Sequence, residues 1–330
     1  MKKFILSAAM ILALFAAGCS SEGYVAKVEN RKITEAEFKF YLDTVKENMA
    51  DTELQTEEDW QTTEIEGKKA IDIAKERALE TAINNIAYIS IGEKLDVELS
   101  DAEKASISRT KASLVSQYGG NSTYNEFLQS YGLKDDFIDM LCESMVYSEK
   151  LTERIEAEQP VTDGDIEQYF AENQESLSAG LMKAKHVLRV TKDTVTQEPY
   201  SEEQVAEQKA LAEDLLQQAQ NGADFDTLVQ EYSEDPGSAT NPDGYVFRDG
   251  DMVAEFQDCV ESLQPGEIGF AQSDFGFHVI QRLPIGLEDV GKDQVKEALL
   301  TERLNERVET WKTELGIQIE TNEEALSQIN

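Results

Sequence analysis

Histidine, cysteine and basic side chains are scarce in this chain of 330 residues, and each scarcity closes off a class of function. With 2 histidines, 3 cysteines, no CxxC pair and no HExxH, the sequence offers neither a zinc centre nor a disulfide framework. Lysine and arginine total 30 against 66 aspartates and glutamates, which leaves a formal charge of −36. No basic block of five or more interrupts that excess, so the electrostatic footprint needed for a phosphate backbone is missing. Nucleic acid is therefore not an expected partner. Long apolar runs are lacking too: after Ser20 no stretch is apolar enough to span a bilayer.

The exception lies at the start. Lys2 and Lys3 precede an apolar run from Phe4 to Ala17, followed by Ala16-Ala17-Gly18-Cys19 as a small-residue cleavage site. A span of ~30 Å takes roughly 20 residues, more than this run supplies. The arrangement resembles a bacterial lipoprotein signal, with Ala16 where Leu is usual. That resemblance implies a signal peptide over 1–18, a lipidated Cys19 and a tether over 19–23. The mature chain is then expected on the outer face of the cytoplasmic membrane, held by acyl chains and otherwise soluble.

Hydrophobic residues make up 40% of the chain, enough for two or so domains with cores. Tyr24 to Ile33 alternates around Glu29-Asn30 and predicts a short hairpin, with Asn supplying the left-handed turn. Helix starts are signalled by Ser or Thr followed three residues later by Glu or Gln, at Thr34, Ser100, Thr123 and Ser201. Ile71, Ala74, Ala78, Ile83, Ile86 and Ala87 fall at helical spacing. Residues 34–175 read as helical. Near 180 the pattern changes. Ala184 to Val190 alternates as a strand, with Ala184, His186, Leu188 and Val190 on one face. Helices over about 202–220 and 225–232, an apolar run at Tyr245 to Phe247, and a strand over 278–283 follow, giving a βααβαβ order. Residues 288–315 return to a helical period and Ile317 to Glu320 alternates again. The expected division is 24–177 for a mainly helical domain, 178–286 for an α/β segment, and 287–330 for a tail packing back on the first.

The segment from Ala184 to Leu283 resembles the parvulin peptidyl-prolyl cis/trans isomerases through five ordered motifs: AKHVL, FDTLVQEYSED, GYVFRDGDMVAEF, LQPGEIG and FGFHVI. With the leader and the helical flanks, the whole chain resembles the PrsA-like foldase lipoproteins. The resemblance implies an α+β fold, a helical chaperone domain plus a four-stranded antiparallel sheet flanked by helices. It also implies partners: unfolded or newly exported polypeptides containing X-Pro bonds and the membrane through Cys19; a homodimer with a second copy of the chain is left open. The binding-only alternative is a chaperone whose parvulin domain is catalytically weak or inactive. The chain departs from the family at Asn241-Pro242-Asp243-Gly244, which replaces a Gly-Gly pair. Gly244 falls where relatives carry a pocket-closing Leu, and Tyr245 is the expected substitute.

Rotation about an X-Pro bond meets a barrier of roughly 18 to 20 kcal/mol but makes and breaks no covalent bond, so no cofactor or metal is expected. What helps is an apolar pocket for the ring and a few fixed polar groups that favour the twisted amide. Both histidines open the same pattern, His-Val-Leu at His186 and His-Val-Ile at His278, and both match parvulin histidine positions. By the same resemblance, Asp235 takes the acidic position and acts electrostatically, and Met252 and Phe256 wall the proline site from one helix face, with Tyr245 beside them. Phe275 and Phe277 flank Gly276 next to His278, either of them pocket or core, and Phe275 is taken for the pocket. In the loop after the first strand Lys192 stands alone among acids, so phosphorylated substrates are not expected to be required.

Overall fold

The computed structural model describes residues 23–50, 53–193, 196 and 198–329; Cys19 and the expected signal segment lie outside them. The chain forms two compact units, one from the residues up to Gln159 with Thr301–Asn330, the other from Pro160–Leu300. The first contains β1 (Tyr24–Val28), β2 (Arg31–Thr34), α1 (Glu35–Met49), α2 (Glu57–Thr62), β3 (Glu64–Ile65) and β4 (Lys68–Lys69). It continues through α3 (Ala70–Lys94), α4 (Asp101–Gln117), α5 (Asn121–Tyr131) and α6 (Asp135–Glu158). The second contains α7 (Asp163–Glu172), α8 (Gln174–Leu177), β5 (Met182–Val190), α9 (Glu202–Gln220), α10 (Phe225–Tyr232) and β6 (Tyr245–Phe247). After these come α11 (Ala254–Ser262), β7 (Ile268–Ser273), β8 (Gly276–Leu283) and α12 (Leu287–Val290). The Leu300/Thr301 boundary falls inside α13 (Lys292–Glu314), and β9 (Ile319–Thr321) and α14 (Glu323–Gln328) belong to the first unit.

Local sequence explains several helix starts. Thr34, Ser100 and Ser201 each close a capping box with the residue three places on. Thr56 and Thr162 do the same with Asp59 and Asp165, a variant that a search for Glu or Gln passes over. Thr123 does not cap. Helix α5 starts earlier, after Gly119 and Gly120, whose positive φ angles turn the chain directly out of α4.

The first unit is built on α3, which buries Ile71, Ala74, Ala78, Ile86 and Ala87 against α1 and α6, with Ile83 at the edge of the stripe. Small residues let the helices approach, and Phe40 packs edge-on to Phe137 at 5.4 Å in the space left. The hairpin β1–β2 forms as the alternation predicts, but Glu29 rather than Asn30 holds the left-handed turn, at φ 50°. Its carboxylate accepts from Lys94 Nζ at 2.7 Å and its N–H donates to the Gln318 carbonyl at 2.8 Å, which hold it there. On the other side β1 pairs antiparallel with β9, Ala26 opposite Thr321 and Val28 opposite Ile319. The tail helix contributes Leu304, Val308 and Trp311 to the same core.

The second unit centres on a four-stranded antiparallel sheet in the order β6-β5-β8-β7. Alternation sends Val187, Phe277 and Val279 to one face, under α9 and α10, and Met182, Ala184 and Ile280 to the other, with Phe256 and Val260 of α11. Edge strand β7, IGFAQS, was not legible, because glycine, serine and glutamine blur its period. The unit is also longer than the expected 178–286. Ile166 and Phe170 of α7 bury themselves with Val290 and Val295, so α7, α8, α12 and the start of α13 group with the sheet.

Trp311 is 2% exposed in the first unit. Trp311→Ala should destabilise that unit by about 3 kcal/mol or more, as truncation of a buried aromatic does. Amide exchange should then quicken in β1, α3 and α6 while β5 and β8 keep their protection.

Candidate active site

Strands β5 and β8 place the two histidines. Leu188 pairs with His278 and His186 with Ile280, so the rings are diagonal neighbours on one face rather than directly opposed. Their Nδ1 atoms are 3.1 Å apart and their planes are nearly parallel, at 8°. The loop after α10 is stitched to β5: Leu188 N–H donates to Ser233 Oγ at 3.2 Å, and Glu234 N–H to the Leu188 carbonyl at 2.9 Å. That docking brings Asp235 Oδ2 to 3.0 Å from His186 Nε2. Tyr245, entering β6 beside Ala184, donates its O–H to the same carboxylate oxygen, and Gly237 N–H donates to Oδ1 at 3.1 Å. Glycine is required at 237, since a Cβ there would sit 2.2 Å from the Tyr245 hydroxyl.

The far end is closed by a residue that sequence reasoning missed. Ser273, the last residue of β7, lies with Oγ 2.7 Å from His278 Nε2 and accepts from Phe275 N–H at 3.1 Å. Only the β7–β8 register reveals it, and β7 was the unread strand.

Hydrogen positions are assigned here from the network. An ionised carboxylate only accepts, so His186 Nε2 carries a proton toward Asp235. In the tautomer of His186 that carries its proton on Nε2 alone, Nδ1 accepts from His278 Nδ1–H, which leaves His278 Nε2 to accept from Ser273 O–H. The bonds then run in one direction from Ser273 through both rings to Asp235. Burial raises the Asp235 carboxyl, but bonds from His186, Tyr245 and Gly237 outweigh it and hold the group well below the usual carboxylate range. Burial, then the neighbouring His186, pushes His278 down to about 4, so its ring is neutral near pH 7. Burial and the Asp235 charge push the Tyr245 phenol up.

An apolar wall borders this network. Phe256, buried on α11, meets His186 edge-on at 5.2 Å and His278 at 5.7 Å, with Phe247 behind it at 5.9 Å. Met252 belongs to the same cluster. It does not share a helix face with Phe256, however, because α11 begins at Ala254 and Met252 lies in the turn before it. His186, Asp235, His278, Tyr245, Phe256 and Met252 are thus brought together. Phe275 is not: it is 48% exposed on the β7–β8 turn with Lys192 Nζ over its ring at 5.3 Å. Its neighbour Phe277 packs on the opposite face of the sheet. Gly244 has φ 94°, and a Cβ there would lie 2.8 Å from the Ala184 carbonyl oxygen, so no leucine fits and the aromatic ring at Tyr245 faces the site instead. Among the described residues no group of three or more His, Cys, Asp or Glu is gathered as a metal would need. A hydrogen-bonded imidazole pair beside a phenyl wall has no activated nucleophile. It suits the packing of a small ring and the orientation of a polar group next to it.

Residues 170–283 match the family of the PPIC-type PPIASE domain, and the second unit carries that domain. Over 312 residues the chain is 28% identical to a foldase protein PrsA of Caldanaerobacter subterraneus, covering 91% of this chain and 89% of that one. A foldase protein PrsA of Clostridium tetani is 26% identical over 341 residues, with 96% and 95% covered. A Chaperone SurA of Chromohalobacter salexigens is 37% identical over 123 residues, 36% of this chain and 28% of that protein. The chain is thus similar to PrsA foldase proteins over most of its length, and its second unit is similar to the PPIC-type PPIase domain. A solved PrsA of Bacillus subtilis superposes at a TM-score of 0.27 and 19% identity over 94% of each chain, too loosely to bear on function.

The buried His278 sets a pH response. Its ordinary value is 6.5 and its folded value about 4, so the unfolded chain takes up the proton first as pH falls. Its contribution, of the order of 3 kcal/mol, is full above about pH 6.5 and is lost as pH falls toward 4. Asp235, whose carboxyl is held low, adds a further loss below its ordinary 3.8. Urea unfolding of the second unit across pH 7 to 4 should show that slope, and His278→Gln should flatten it.

Proposed function

We propose that this protein is a lipid-anchored foldase that catalyses cis/trans isomerisation of X-Pro bonds in exported polypeptides and holds them while they fold. The observation that carries the catalytic part is the assembly of His186, His278, Asp235 and Tyr245 into one hydrogen-bonded network flanked by Phe256. The proline ring packs against Phe256 and Met252. The network then presents fixed dipoles to an amide that loses resonance, and hence planarity, only at the top of the barrier. Asp235 acquires a different role from the one its sequence context suggests. It accepts hydrogen bonds from His186, Tyr245 and Gly237, so it is a positioning residue that fixes the ring and the phenol rather than a charge aimed at the amide.

Phe256→Ala should lower kcat/KM for a prolyl peptide by about a hundredfold, on the scale of a buried ring worth ~3 kcal/mol. His278→Ala should lower it by about tenfold, the scale of a lost positioning group worth ~1.4 kcal/mol. Asp235→Asn puts an NH2 where one acceptor oxygen stood, so the donors from His186, Tyr245 and Gly237 can no longer all be satisfied, and it should cost more than the change of charge alone. Protease-coupled isomerisation assays on variants of verified fold check this order. Wild-type turnover by well-folded Phe256→Ala would leave a binding-only chaperone.

Anchoring rests on Lys2, Lys3, the short apolar run and Cys19. One acyl chain binds a membrane only marginally, so stable attachment takes at least two. Cys19→Ala should move the protein from the membrane fraction to the soluble extracytoplasmic fraction, as followed by fractionation and blotting.

A further inference from the structure

The first unit contains a cavity of about 390 Å³ between α1, α3 and α13, a volume inside the ordinary range of ligand pockets, about 300–1,000 Å³. Its lining is unusual for a chain of charge −36. Asparagines from all three helices meet there, and the only charged liners are Arg77 and Glu80, one of each sign. The floor holds the most telling pair. Asn84 is buried, 7% exposed, and its Oδ1 accepts from Lys312 Nζ at 2.6 Å. That bond fixes the amide so that Nδ2, which makes no hydrogen bond among the described residues, is left as a donor. Asn85 is fixed the opposite way. Its Nδ2 donates to the Tyr41 hydroxyl at 3.1 Å, which leaves Oδ1 as an acceptor. At the rim Asn48 and Asn305 are exposed, and neither side chain makes a hydrogen bond among the described residues. Met49 and Tyr88 add apolar surface between them.

A carboxamide is a peptide group in miniature, with one C=O acceptor and N–H donors in a plane. Donor and acceptor side by side on a half-buried floor complement the C=O and N–H of a polypeptide backbone, whatever side chains it bears. We propose that this cavity binds an extended, uncharged stretch of non-native polypeptide by its backbone amides. The inference rests on the reading of the protein as a foldase and adds the site and the chemistry by which its helical unit takes clients. Amide recognition explains how an acidic protein can hold segments without selecting for their charge, and the balance of Arg77 with Glu80 keeps the mouth neutral.

The test uses the purified full chain and a fluorescein-labelled, proline-free peptide of alanine, serine, valine and glycine, followed by anisotropy. Without proline, the peptide does not report on the isomerase site. Asn84→Leu should raise the dissociation constant by about tenfold, and the surface double variant Asn48→Ala/Asn305→Ala by about fivefold, as lost hydrogen bonds to a partly buried partner do. The same peptide with N-methylated backbone amides should not bind. Undiminished binding by the double variant, equal binding of the N-methylated peptide, or no binding by the wild-type chain overturns the proposal. Isomerisation of a proline peptide by the wild-type chain is measured separately, so failure of the cavity and failure of the isomerase reading give different results.

Discussion

The Asp235 carboxylate sets the direction of everything around it. Because it can only accept, it dictates which nitrogen of His186 carries a proton, and through that ring it dictates the tautomer of His278 and the orientation of the Ser273 hydroxyl. It also holds the Tyr245 phenol in place. A buried imidazole pair left to itself would have two interchangeable proton arrangements; the carboxylate leaves one. The cost is a partly buried negative charge, offset by bonds from His186, Tyr245 and Gly237. Gly237 belongs to this account as much as the titratable groups do, since any side chain there would displace the phenol.

The site was legible where chemistry coincides with period. His186 and His278 each open an alternating strand, and alternation put them on the buried face that the sheet shows. Tyr245 was legible because Gly244 has no side chain to offer. What was not legible depended on register or on distant partners. Phe275 and Phe277 flank one glycine and look equivalent, yet the two-residue turn between Ser273 and Gly276 leaves the first in solvent and the β8 pleat sends the second to the opposite core. Ser273 sits on a strand whose small residues hide it. Met252 stands just outside the helix that was expected to carry it.

The same limit governs the domain borders. Helix α7 has the composition of the helices before it, and nothing local marks it as part of the sheet's unit. Its assignment follows from Ile166 and Phe170 burying against Val290 and Val295, more than a hundred residues away. Glu29 shows the effect on a small scale. An intrinsic turn former stands next to it at Asn30, but a lysine from α3 and a carbonyl near the end of the chain select Glu29 for the left-handed position. Tertiary contacts override propensity at both scales.

The pairing of β1 with β9 joins the opening of the fold to its last strand. A chain is made from its N-terminus, so β1 appears first and waits for β9 until the whole of the second unit has been made. The second unit, lying wholly inside that interval, has all its strands before the first unit can be completed. Order of completion is therefore the reverse of order of appearance. A chain cut short by premature termination or by proteolysis at its C-terminal end would keep an intact sheet unit, yet β1 would have a bare edge and the helical core would lack Trp311 and Ile317. The topology thus makes the helical unit the last to close, and a copy that loses β9 presents an open strand edge on β1.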